Sequence, residues 1–95
     1  MFVMAATVRI RYRSGMTRFY FNLHECGQRT LDDEGIVLDG LAAAHDRAVS
    51  EARAIMSAEV AEGRLCLSCN IEVLDDDGQM AVNVPFVEAL AVSGL

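Results

Sequence analysis

The sequence predicts an α+β protein: a two-layer sandwich in which one amphipathic helix, about residues 41–62, covers one face of a small, mainly antiparallel sheet. Three observations predict it. Leu41 to Glu62 runs for about 22 residues without Pro or Gly, and its apolar positions gather on one side at about 100° per residue. Arg18-Phe19-Tyr20-Phe21-Asn22-Leu23 alternates apolar with polar residues, the period of a half-buried strand. Two further alternating runs flank Asp75-Asp76-Asp77-Gly78, and Asp-Gly is a favoured hairpin dipeptide.

In chain order, Val8, Ile10 and Tyr12 alternate with Arg9, Arg11 and Arg13, which reads as a strand ended by Ser14-Gly15. Met16 is a second candidate start, so residues 1–15 read either as an accessory strand or as an extension ahead of the domain. In the aromatic strand Phe19, Phe21 and Leu23 face the core, and Arg18, Tyr20 and Asn22 lie opposite. His24 to Asp39 is polar and rich in turn residues; Gln28 to Leu31 and Ile36 to Leu38 read as short strands flanking an acidic Gly35 turn.

Asp39 reads as the helix N-cap and Gly63 as its C′ residue. Between them Leu41, Ala44, His45, Ala48, Val49, Ala52, Ile55, Met56 and Val60 form the stripe, whose small alanines permit a close approach to a sheet. Leu65, Leu67, Cys69, Ile71 and Val73 then alternate with Cys66, Ser68, Asn70 and Glu72. Met80, Val82, Val84 and Phe86 return after the turn, with Pro85 placing that strand at an edge or near its own end. The expected order is β-β-α-β-β over a single domain at residues 16–88, with a possible extra N-terminal strand and a loose tail at 89–95.

A chain of 95 residues is one domain, and 53% hydrophobic residues with a mean hydropathy of +0.25 exclude a disordered one. No apolar run approaches the roughly 18 residues of a membrane span. The apolar opening has no basic residue ahead of it and no small-residue cleavage site, so no signal peptide is expected. The expected compartment is the cytoplasm, where the three cysteines stay reduced. Residues 16–95 hold five Arg against 14 acids, a net −9, which repels phosphate backbones and argues against a nucleic-acid partner.

The chemistry-bearing residues each have a plain structural reading. Cys66-Leu67-Ser68-Cys69 is a CxxC, but inside an alternating strand the two thiols would point to opposite faces and could not share a tetrahedral metal without a bulge. No metal site and no cofactor are expected on that ground. His24-Glu25-Cys26 offers an imidazole and a thiol at a strand end, and its plain reading is an exposed loop. His45 reads as partly buried within the helix stripe. A calcium loop built on Asp75, Asp77 and Gly78 fails, because Val73 and Val84 fall where its first and last acidic ligands belong. Asp32-Asp33-Glu34 reads as solvated surface. Arg9, Arg11 and Arg13 would project from one face about 7 Å apart, as a charged edge guard or an anion contact.

Arg18-Phe19-Tyr20-Phe21-Asn22-Leu23-His24, Asp33-Glu34-Gly35, Leu38-Asp39, the Ala-rich helix, Leu67-Ser68-Cys69-Asn70-Ile71-Glu72-Val73 and Asp77-Gly78 together resemble a family of short uncharacterised alphaproteobacterial proteins, a domain of unknown function. The resemblance covers about residues 16–88, implies the same element order and implies no activity. The Cys66/Cys69 pair lies outside its pattern.

The expected function is therefore a small non-enzymatic interaction module, pairing with itself or another protein through a strand edge or the open sheet face. Its candidate contact residues are Tyr20, Asn22, His24, Cys26, Arg9, Arg11 and Arg13. The alternatives are a small ligand-binding protein or enzyme with a pocket near His24 and Cys26, and, by fold analogy, an antitoxin-like regulatory partner.

Overall fold

The computed structural model describes residues 15–94. The N-terminal strand read around Arg9, Arg11 and Arg13 lies outside the described residues. Strands β1 (Met16–Glu25), β2 (Gln28–Thr30) and β3 (Ile36–Asp39) precede helix α1 (Gly40–Ala61), and β4 (Asn70–Leu74) and β5 (Met80–Pro85) follow it. The result is the expected α+β architecture, one helix on an open five-stranded sheet, with every strand pairing antiparallel. The order across the sheet is β2-β1-β4-β5, and β3 also pairs with β1.

β1 organises the sheet because its length lets it serve two short strands. Met16 to Phe19 pair with β3, while Leu23 to Glu25 pair with β2. The two short strands thus flank the acidic turn as the sequence implied, but each pairs with β1. Between them β1 has a gap, and Asp32 fills it. Its carboxylate accepts the Phe21 N–H at 3.1 Å and the Glu34 and Gly35 N–H groups at 3.1 and 3.0 Å. Asn22 Oδ1 in turn accepts the Asp32 N–H at 2.9 Å. Asp32 is therefore a surrogate strand bond, contrary to its reading as solvated surface. Gly35 closes the turn at φ 66°, where an added Cβ would sit 2.8 Å from the Phe19 carbonyl oxygen.

The core forms where the predicted inward positions meet the helix. Phe19, Cys69, Ile71, Val73 and Val84 from the sheet pack on Ala44, Ala48, Ala52 and Met56. The side chains at these helix positions are four residues apart, which narrows the buried stripe relative to the sequence pattern. Leu41, His45 and Val60 fall outside it and are exposed, while Glu59 is buried. Gly63, at φ 88°, ends the helix as expected. Its N–H bonds the Val60 carbonyl and the Arg64 N–H bonds the Glu59 carbonyl, the paired bonds of a Schellman motif.

Asp75 closes the β4–β5 hairpin, its side chain accepting the Asp77 and Gln79 N–H groups. Past β5 a single 3₁₀ turn, Phe86–Glu88, seats Phe86 in the core. Ala89, which the sequence assigns to the tail, is also buried, and the Arg53 guanidinium donates to its carbonyl at 2.6 Å.

Candidate functional site

The two ends of the sheet's central strands bring reactive groups together at one place. β1 turns into β2 through Cys26-Gly27, since Glu25 pairs directly with Gln28. Gly27 takes φ 72°, so the chain reverses tightly with Cys26 at the tip. The Schellman bonds at Gly63 send the chain back under the end of α1. There the buried Glu59 carboxylate accepts the Cys66 N–H at 3.2 Å, anchoring the loop that leads into β4.

That loop overturns the strand reading of residues 65–69. β4 begins at Asn70; Leu67 and Ser68 form a bend. Leu65 and Leu67 are exposed, whereas Cys69, Ile71 and Val73 keep the inward register. The bend brings the two thiols together instead of apart. Cys69 Sγ lies 3.0 Å from Cys66 Sγ, and Cys26 Sγ approaches Cys66 Sγ at 3.3 Å from the opposite segment. All three sulfurs lie within 4.8 Å of one another. Ser68 Oγ stands 3.4 Å from Cys26 Sγ and 3.3 Å from Cys66 Sγ.

The thiols sit at graded depth: Cys26 is exposed, Cys66 intermediate and Cys69 buried. Hydrogen bonds from Ser68, Cys69 and Cys26 stabilise the Cys66 thiolate and lower its pKa to about 7. Burial, and donation of its S–H to Cys66, push Cys69 up to about 12. The cleft above the thiols, about 340 Å³, is lined also by Glu25, Gln28, Glu59 and Arg64.

The other residues named from the sequence have structural employment. Asn22 is buried and holds Asp32. Tyr20 is half-buried, and a Cβ on Gly35 would meet its ring, so the turn lies against it. His24 Nε2 lies 3.1 Å from Glu72 Oε1 across the sheet, and that bond holds the Glu72 carboxyl below its ordinary range. Cys26 is the residue of that set which joins the thiol cluster. The CxxC spacing was the available signal for Cys66 and Cys69; the alternation around it concealed the bend.

Among the described residues no helix is long and apolar enough to cross a membrane. A family described as a domain of unknown function (DUF6894) matches residues 18–87, a stretch that contains the whole sheet beyond Thr17 and all three cysteines. No curated protein and no solved structure matches the chain.

Proposed function

We propose that this chain, which belongs to the DUF6894 family, is a small non-enzymatic interaction module that pairs with a second copy of itself along the outer edge of β5. The observation that supports this reading is that, among the described residues, β5 pairs with β4 alone and leaves its other side open. Met80-Ala81-Val82-Asn83-Val84 carries no charge, and its proline comes only at Pro85, the last position of the strand. Edge strands of monomers are normally blunted by charge, proline, a bulge or a covering segment. In β5 the one irregularity is the register shift opposite Val73 and Leu74, at its Met80 end, and Val82 to Val84 pair regularly with β4. On the opposite side β2 and β3 lie outside β1, and the Asp32 carboxylate takes the Phe21 N–H left between them. The polar face is committed too: Asn22 serves the turn, and Asn70 donates to Asn83 Oδ1 at 2.6 Å.

Antiparallel self-pairing centred on Val82 joins two four-strand-wide sheets into one eight strands wide. The non-enzymatic part of the reading is supported by where the polar groups are engaged: the His24 imidazole is tied to Glu72 and the Asp32 carboxylate to backbone. The cytoplasm, a reducing compartment, suits a chain whose three thiols are free.

Sedimentation velocity from low to high micromolar protein, with reductant and chelator present, tests the proposal. A concentration-dependent dimer is expected. Asn83→Lys and Met80→Lys place a charge on exposed edge positions and should shift the chain to monomer with an unchanged far-UV spectrum. A strict monomer at high micromolar concentration, or a dimer indifferent to both substitutions, would overturn it.

A further inference from the structure

We infer that Cys26, Cys66 and Cys69 form an intrachain binding site for a thiophilic metal ion of the Zn(II) class, with an oxygen donor completing the tetrahedron at Ser68.

The geometry carries this. Zn–S bonds of about 2.3 Å place tetrahedral sulfurs about 3.8 Å apart. The sulfurs stand 3.0 and 3.3 Å from their neighbour, and all within 4.8 Å, so closing on an ion needs each to move by less than about 1 Å. Ser68 Oγ is 3.3 and 3.4 Å from two of them, near the roughly 3.6 Å edge between sulfur and oxygen in such a tetrahedron. The fourth corner is thus the hydroxyl itself or a water it holds.

The scaffold is built independently of any ion. Cys66 and Cys69 lie on one bend, and Cys26 arrives from a turn 40 residues earlier. That turn is fixed by Gly27 and the Glu25–Gln28 pair, and the bend by Glu59 and by the Phe86 N–H bond to the Cys69 carbonyl at 2.8 Å.

A second observation points to a cation. Glu59 is only 7% exposed, yet among the described residues it has no salt-bridge partner. Arg64, the one basic residue lining the cleft, pairs with Glu62. The Glu59 carboxyl group, held to the Cys66 N–H, puts oxygen donors in the same cleft as the three sulfurs. Three thiols, each losing its proton to solvent on binding, become thiolate ligands that select a soft ion over magnesium or calcium.

The test uses the full chain, reduced with a phosphine and freed of metal. Co(II) titration should give thiolate-to-cobalt charge-transfer absorption and tetrahedral visible bands saturating at one equivalent, displaced by Zn(II). Cys26→Ser, at the exposed turn tip, should keep the far-UV spectrum and weaken binding by about tenfold or more. Cys66→Ser should do the same. Absence of the charge-transfer band would overturn the site. So would saturation at half an equivalent, which marks a site between two copies, or Cys26→Ser binding as tightly as the parent. Because the dimer test runs in chelator, failure of either proposal leaves the other standing.

Discussion

At the scale of single residues, the group that most repays attention is Asp32. Burial raises its carboxyl pKa, but N–H donors from Gly35, Phe21 and Glu34 outweigh that, and the net shift is downward. A depressed folded pKa means stability present above the unfolded value near 4 and lost as pH falls through the folded value. Asp32→Ala should therefore cost about 1–2 kcal/mol by urea denaturation at pH 7, with the difference shrinking as pH falls below the unfolded value of about 4. Glu72, also depressed, titrates in the same sense and should steepen acid unfolding. Gly35→Ala should cost about 1–3 kcal/mol, because a left-handed φ and a Cβ 2.8 Å from the Phe19 carbonyl act together. The Gly35 turn was legible in the sequence; the role of Asp32 was not. Asp32 sat in an acidic run that looked solvated, and its partners Phe21 and Asn22 lie ten or eleven residues earlier.

At the scale of elements, the helix was the most legible and the CxxC segment the least. Ala44, Ala48 and Ala52 are fully buried, so α1 lies close on the sheet and has no room there for a longer side chain. Ala48→Leu should destabilise by about 1–3 kcal/mol, read as a lower urea midpoint with unchanged slope. Gly63→Ala meets no atom within 4 Å, so its cost is conformational, about 1 kcal/mol. The same substitution loosens the return that carries Cys66 toward Cys26, and it should weaken Co(II) binding while α1 remains intact. Sequence pattern foresaw the glycine stop, since a cap is a local matter. It missed the narrowing of the stripe: Val60 and Leu41 have the right hydrophobicity but are exposed, and Glu59 takes an inward place to hold the Cys66 loop.

At the scale of the whole molecule, net charge and linkage govern. Two copies of a chain carrying −6 repel one another, so self-association along β5 should strengthen as salt rises from about 0.01 M to 0.15 M, as sedimentation can show. A metal that binds only the folded chain should raise the melting temperature; at about 100 times its Kd, zinc adds about 2.7 kcal/mol relative to chelator. What the sequence determined by itself was periodic: the fold class, the inward register of Phe19, Ile71, Val73 and Val84, the helix and its glycine end, and the Asp75–Gly78 turn. Each follows from neighbours along the chain, where side-chain period and turn chemistry act. Tertiary structure alone decided that strand alternation stops short of Cys66, that Cys26 meets it across 40 residues, and that Asp32 completes β1. Those outcomes depend on which distant segments share space, and a one-dimensional pattern carries no record of that.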